Sequence, residues 1–488
     1  MIQNTLRPKL NMLDPDQVAN IVDEAISILE EVGITVENSE ALELLHGVGS
    51  KIDKQKVFIP PDIVNKALKT APPQIIMYDR FEQQVADLSK DNVHFDPGSA
   101  ALLILDYEKN KIRNAISSDC YKFSRLTDKM DNIALQSTGV VPSDVPEEAA
   151  DSYRLYAALQ ECLKPIVTGT FNIASFDVMK NMLTVIREDE KNLREKPLAI
   201  FDCCPSPPLK WSNLTCQNLI DAARAGIPAE LVSMPLTGAT SPVTLLGAVV
   251  QHCAESLSGI VIHQLANPGA PIIYGGSPAM FDMRVGTTPM GAIETMMIDS
   301  AYAQVGKYLG LPTHAYMGLS DSKCVDMQAG LESGIGVIIA ALAGVNMVSG
   351  AGMMDFENCQ SLEKLVIDNE ICGMALRLIK GITQRDAIIA KDIIKEVISN
   401  GKFISHPHTL KWFKKEAYYP GKVIDRTTDE QFYINGGKCA FEKAHEQVEK
   451  ILSTHEPEHL EKEKLKALID IMTHRFAQFG SKLPETDD

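Results

Sequence analysis

The chain has 488 residues, 45% hydrophobic and 23% charged, which suits one large barrel-type domain with additions or two to three smaller domains. A net charge of −17 argues against a nucleic-acid binder, whose phosphate contacts need clustered Lys and Arg. The ten Cys form no CxxC pair, the start "MIQNTLRPKLNMLDPDQ" has no apolar leader, and no long apolar run reads as a membrane span, so a cytoplasmic protein with reduced thiols and no metal site is expected.

The amino-terminal part alternates helix and strand. "DPDQVANIVDEAISILEEVG" opens on an Asp cap and closes on Gly33, with Val18, Ile21, Ala25, Ile28 and Leu29 at helical spacing. "SEALELLHGVG" repeats that pattern. "VFIP" and "QIIMYD" read as short strands around the helix "PDIVNKALKTA", and "ALLILDYEKNKIRNAI" as a hairpin with a Lys/Asn turn.

A rhythm then sets in. Short apolar or β-branched runs end in Gly, Ser, Thr, Asp or Pro, with a helical pattern between each pair: "VHFDPGS" (93–99), "ALQSTGVV" (134–141), "KPIVTGT" (164–170), "PLAIFDCC" (197–204), "ELVSMPL" (230–236), "APIIYGG" (270–276), "PTHAYMG" (312–318) and "VNMVSGAG" (345–352). They are apolar on both faces, as buried parallel strands are, and the later ones recur at the length of a strand, a crossover helix and two loops. Eight such units predict an α/β fold, a (β/α)₈ barrel. An open doubly wound sheet is the second possibility, but no GxGxxG follows a strand. The expected division is an N-terminal α/β extension over 1–90, the barrel over 91–380, and a C-terminal helical region over 381–488, packed on the barrel or on a neighbouring subunit. The tail "GSKLPETDD" is expected to be mobile.

Barrel enzymes work at the C-terminal ends of their strands. The residues expected there, among them Gly98, Ser99, Thr138, Thr170, Asp202, Cys203, Tyr316, Ser349 and Gly350, are small and hydroxyl-rich, with one Asp and no Lys, Arg or His. Phe95, Phe171, Phe201, Tyr274, Tyr316 and Phe356 lie near the mouth. Core packing is the ordinary reading of each; together they would also suit a cage for a quaternary ammonium, held by cation–π attraction. The polar stretch "GLSDSKCVDMQAGLES" (318–333) reads as the loop after the seventh strand, with Asp321 at the mouth. Its polarity serves capping and loop-to-loop bonding, with one or two residues facing a ligand.

Five separated stretches carry a family resemblance: "AISILEEVGITVENSEALELLHGVGSKID", "GSPAMFDMRVGTTPMGAIETMM", "SDSKCVDMQAGLES", "NMVSGAGMMDFENCQSLEKLVIDNEICGM" and "HPHTLKWFKKEAYYPGKVIDR". In order and over nearly the whole chain, they resemble the trimethylamine methyltransferase superfamily. The resemblance implies a TIM barrel that demethylates a methylamine and passes the methyl group to the Co(I) corrinoid of a separate protein, with no tightly bound cofactor. The trimethylamine enzymes carry pyrrolysine; this chain has ordinary residues throughout, which points to the non-pyrrolysine branch and to quaternary amines such as glycine betaine, proline betaine or carnitine. A quaternary nitrogen leaves as a neutral amine without a proton, so positioning suffices and no obligatory acid or base is expected. The expected substrate-binding set is Gly98, Ser99, Phe171, Tyr274, Tyr316, Asp321, Ser349, Gly350 and Phe356. Arg284 and His314 are the nearest charged or chargeable partners for a substrate carboxylate. A homo-oligomer is expected from the apolar C-terminal helices. A pterin- or zinc-thiol-dependent barrel methyltransferase and a non-catalytic betaine-binding protein are the alternatives.

Overall fold

The computed structural model describes residues 5–387 and 390–484. The last residues of the tail expected to be mobile, and two residues of "RDAIIAKDIIKEVISNG", lie outside the described residues.

Eight short parallel strands form the barrel: β1 (His94–Phe95), β2 (Gln136–Ser137), β3 (Ile166–Thr168), β4 (Ala199–Cys203), β5 (Ala229–Ser233), β6 (Ile272–Gly276), β7 (His314–Tyr316) and β8 (Met347–Ser349). Parallel ladders join β2 through β6 in order, and β7 to β8 to β1. A bridge between Tyr274 and Thr313 links β6 to β7, and the Ala134 amide donates to the Phe95 carbonyl at 2.9 Å, which closes the ring. All eight runs singled out in the sequence are these strands.

Each strand is followed by a helix, as parallel neighbours require a crossover. The helices are Ser117–Asp128, Glu147–Glu161, Ile173–Arg187, Asn213–Ala225, Leu245–Ala266, Ile293–Tyr308, Met327–Ala343 and Leu362–Ile379. Five of them start on a side-chain cap, Asn172, Ser212, Thr244, Asp326 and Ser361, which fixes those starts beside the mouth. Met327–Ala343 approaches β7 so closely that a Cβ on Gly336 would overlap the Met317 carbonyl. Leu245–Ala266 is long and apolar enough to cross a membrane, but most of it is buried, packed between the barrel and the helices Pro15–Ser27 and Pro61–Thr70.

The N-terminal end of the barrel is plugged. A hairpin of Ile75–Tyr78 and Gln84–Leu88 pushes Ile75, Met77, Ala86 and Leu88 against Leu135, Val167, Ile200, Ile273 and Met347 inside the ring. Truncating a fully buried plug residue such as Met77 to Ala costs about 2–5 kcal/mol. The apolar plug fills this end of the ring and leaves the opposite end as the open one. The N-terminal strand Ile34–Val36 pairs in parallel with Lys210–Trp211, on the loop after β4. At the other edge, Ala440–Thr454 packs on Leu362–Ile379 and Ser117–Asp128, while Lys462–Ala477 packs on Ile173–Arg187 and Glu147–Glu161.

The rim at the C-terminal ends of the strands is built from two small sheets. The hairpin Leu103–Asp106 and Lys111–Asn114 joins Met353–Met354 and Cys359–Gln360 from the loop after β8. Leu236–Thr237 and Ala279–Met280 join the loops after β5 and β6. The turn after β8 holds three consecutive non-glycine residues in the left-handed region, Asp355 (φ 50°), Phe356 (φ 57°) and Glu357 (φ 70°). Each such residue costs roughly 1–3 kcal/mol, so the surrounding contacts hold this turn against its own preference.

Candidate active site

Above the apolar plug, the barrel interior turns polar. Asp202 on β4 and Glu230 on β5 are register partners on adjacent strands, which places their side chains next to each other on the inner face. Glu230 Oε1 lies in close contact with His314 Nδ1 without hydrogen-bond geometry, and among the described residues neither atom has a hydrogen-bond partner. On its other side, His314 Nε2 is 2.8 Å from Ser349 Oγ. Ser349 Oγ reaches Asp96 Oδ1 at 2.9 Å and Oδ2 at 2.7 Å, and the Gly98 amide donates to Asp96 Oδ1 at 2.9 Å. A continuous line of four buried groups thus crosses the barrel from Glu230 to Asp96.

The sequence expectation of a mouth with one Asp and no His is corrected here. Asp96, Glu230 and His314 all point inward, and each is buried. Gly275 is the reason His314 fits, since a Cβ there would lie 2.9 Å from its Nδ1.

Burial dominates the electrostatics. It raises Asp202 and Glu230 well above the usual carboxylate range, and neighbouring carboxylates push in the same direction: Glu230 and Asp96 on Asp202, Asp96 on Glu230. Burial also raises Asp96, against the opposing effects of His314, Ser349 and the Gly98 amide. His314 is pushed down to about 4 by burial, so its ring is neutral. The cation acting on Asp202 is Arg154, which comes from the helix Glu147–Glu161 and donates to the Thr138 and Gly169 carbonyls at 2.9 and 3.4 Å. Asp202 keeps part of its surface accessible, yet among the described residues its Oδ1 is buried without a hydrogen-bond partner, as are both oxygens of Glu230.

Over this floor lies an apolar roof that includes Val232, Met290, Tyr316, Leu319 and Met353, with Cys204 and Met234 beside it. Tyr316 is 7% exposed and stands edge-on to His314, ring centroids 5.0 Å apart at 90°. A Cβ on Gly98, whose φ is +75°, would lie 2.6 Å from Met353 Sδ and 3.1 Å from the Tyr316 ring, so the roof closes only over glycine.

The expected substrate-binding residues separate into groups. Tyr316 and Ser349 lie in the chamber. Ser99 and Thr170, on the loops after β1 and β3, each carry a buried hydroxyl without a hydrogen-bond partner among the described residues. Gly98 spends its amide on Asp96, and Gly350 (φ +119°) packs against Gly318 and Leu319. Asp321 is a correction: its carboxylate accepts the Met290 and Gly291 amides at 2.8 and 3.0 Å, tying the loops after β6 and β7 together. Burial and the nearby Glu332 raise it to about 6. Tyr274 is a second correction. It faces outward, between His252 and Tyr302 on the crossover helices. Phe95 and Phe201 likewise belong to the outer core, Phe201 against Phe176 at 5.0 Å, while Phe171 is exposed over Arg154. Phe356 lies at the rim under Lys323, 3.6 Å from its ring centre. The six rings therefore do not form a cage together. Arg284 is exposed and paired with Asp282, away from the chamber. The residue missed at the rim is Glu357, which accepts from Ser277 at 3.2 Å and is raised by burial to about 8.

The chain is thus a plugged (β/α)₈ barrel with an acidic inner floor and an apolar roof at the C-terminal ends of its strands. Residues 1–480 match the trimethylamine methyltransferase (MTTB) family, and the chain belongs to that family of methyltransferases. It is 32% identical over 472 residues to the glycine betaine methyltransferase of Desulfitobacterium hafniense (strain Y51), covering 95% of this chain and 97% of that one. It is 31% identical over 467 residues to the trimethylamine methyltransferase MttB of Desulfitobacterium hafniense (strain DSM 10664 / DCB-2), covering 95% and 94%. Its fold is similar to that of MtmB in the crystal structure of the hydroxylamine complex, with a TM-score of 0.50 at 12% identity over 90% of this chain and 88% of that one.

Proposed function

We propose that this chain demethylates a quaternary amine of the betaine type and passes the methyl group to the Co(I) corrinoid of a separate protein. The observation that carries this reading is the floor: Asp202 and Glu230, side by side, with unpartnered oxygens beneath an apolar roof. A buried group of carboxyls that shares negative charge favours a cationic ligand. A roof of thioether, aliphatic and aromatic surface favours methyl groups over N–H donors. A quaternary ammonium combines both properties. The relative whose name is glycine betaine methyltransferase supports the same substrate class.

The corrinoid, a co-substrate brought by the partner protein, supplies the nucleophile. The C–N bond electrons stay with nitrogen, which leaves as a neutral tertiary amine, so no residue has to donate a proton. The chain's own part is to hold the ammonium over Asp202 and Glu230, aim one methyl group at the mouth and exclude water. The Ser99 and Thr170 hydroxyls are the donors available for a substrate carboxylate at the rim.

The test is methylation of reduced corrinoid, followed by its visible spectrum, over glycine betaine, proline betaine, carnitine and trimethylamine. The proposal expects turnover with at least one quaternary amine and none with trimethylamine. Turnover of trimethylamine alone contradicts it, and transfer to a pterin or thiol in place of the corrinoid favours the other barrel methyltransferases. Betaine binding without any methyl transfer would make the chain a binding protein.

A further inference from the structure

The line of groups from Glu230 to Asp96 admits a count of its protons. Ser349 has one hydroxyl hydrogen, and both Asp96 oxygens lie within reach of it, so the hydroxyl donates to Asp96. Ser349 Oγ then accepts from His314, 2.8 Å away, which places the single ring proton on Nε2. His314 Nδ1 is left bare, facing Glu230. Glu230 satisfies it only as the carboxylic acid, the form that burial beside Asp96 favours. Asp96, which accepts from Ser349 and from the Gly98 amide, is the end of the line equipped to hold the negative charge.

The unfilled valences lie at the other end. Among the described residues neither Glu230 oxygen nor Asp202 Oδ1 beside it has a hydrogen-bond partner, whereas the Asp96 oxygens are both taken. A cation entering from the mouth therefore meets the end of the line that is uncharged. We propose that Glu230, His314, Ser349 and Asp96 form a two-state proton wire that moves the negative charge from Asp96 to Glu230 when the substrate's ammonium docks beside Asp202 and Glu230. The inference rests on the quaternary-ammonium reading of the site. In the shift, the Glu230 O–H bond breaks as an N–H bond forms on His314 Nδ1. The Nε2–H bond breaks as its proton passes to Ser349 Oγ, and the original Ser349 proton passes to Asp96. Three protons move, one across the Glu230–His314 contact and two along hydrogen bonds; none enters from or leaves to solvent. The site thereby gains a counter-charge for its substrate without drawing on the partner protein or on bulk water. The other titratable groups that interact with Glu230 are Asp202 on β4, Tyr316 on β7 and Tyr302 from the helix after β6, with Arg154 acting on Asp202 from the helix side.

The wire has a direct signature, the tautomer of one histidine. Full-length protein labelled with [15N]histidine is examined by NMR, with His314→Gln assigning the signal. The expected result is an Nε2–H tautomer in the free protein and an Nδ1–H tautomer with saturating tetramethylammonium or glycine betaine. The carbon isostere 3,3-dimethylbutanoate, which keeps the carboxylate but lacks the ammonium charge, should leave the Nε2–H form unchanged. Ser349→Ala should abolish the tautomer change and weaken tetramethylammonium binding at least tenfold by calorimetry; Ser349→Thr, which restores the hydroxyl, should recover both. Should Ser349→Ala fail to fold, the wild-type spectra decide alone. An unchanged tautomer with tetramethylammonium bound overturns the wire and leaves the substrate reading standing. No binding of any quaternary ammonium overturns both.

Discussion

Tyr316 offers the sharpest test of how the roof holds a cation. Its ring is 7% exposed, packed against Met353 and Gly98, and stands over the His314–Glu230 pair. Water is largely excluded there, so a cation–π contact belongs to the upper part of its range, about 1–2 kcal/mol. Tyr316→Ala should then weaken binding of tetramethylammonium or glycine betaine by roughly five- to thirtyfold. Tyr316→Phe keeps the ring and should change Kd less than about twofold, because the hydroxyl is not part of the π contact. Isothermal calorimetry gives the affinities. A thermal melt of each variant separates pocket loss from unfolding, since truncating a buried aromatic costs about 3–5 kcal/mol of stability. Equal large losses in both variants would refute the cation–π reasoning and assign the effect to the hydroxyl. No loss in either would place the substrate away from Tyr316.

Three further outcomes are expected. Glu357 is raised to about 8, so it is mostly neutral at pH 7 and its charge appears as pH rises past that value; affinity for a quaternary ammonium should increase between pH 7 and 9, and Glu357→Gln should flatten the rise in a calorimetric pH series. The ion pair of Lys364 with Asp368 is fully buried at 2.5 Å, and Asp368 accepts the Gly352 amide at 2.7 Å, which anchors the strained turn after β8. Lys364→Met leaves Asp368 buried and unpaired and should cost about 3–5 kcal/mol in denaturant unfolding, with Lys364→Met/Asp368→Leu recovering much of it. The C-terminal region exposes Ile398, Ile404, Leu410, Phe413 and Tyr419, apolar surface suited to a second copy; light scattering at micromolar concentration should show a homo-oligomer, and a monomer would remove that role.

The barrel was legible because parallel strands buried on both faces leave continuous apolar runs, and the crossover helices space them regularly. The same feature concealed the site. A strand without alternation does not reveal which side chains face inward, so His314 was readable as a mid-strand residue but not as a chamber residue. Register decides it, and register depends on neighbours far away in sequence, as in the pairing of Asp202 with Glu230. A usable signal was present: Glu230 and His314 each interrupt a strand buried on both sides, where a chargeable group needs a partner. Asp96 carried less warning, since it stands next to Pro97 and Gly98 and reads as a turn. The aromatic residues misled for the opposite reason. Tyr274 and Phe201 are one residue out of phase with the inner face and pack outward, whereas Tyr316 is in phase with Ser349 across the β7–β8 ladder. The polarity of 318–333 proved to be a strap, with Asp321 on two amides and Glu332 accepting from Ser320 Oγ at 2.6 Å and the Asp321 amide at 2.8 Å.

The central claim is most directly tested by one single-turnover experiment. The protein is mixed with glycine betaine in which all three N-methyl groups are trideuteromethyl and a stoichiometric Co(I) corrinoid protein, and both products are measured by mass spectrometry. The account predicts trideuteromethyl-corrinoid and dimethylglycine in a one-to-one ratio, with the three deuterons of the methyl group intact and formation lost when the betaine is replaced by 3,3-dimethylbutanoate. Binding of the betaine with no label on the corrinoid, repeated with proline betaine and carnitine, would contradict it.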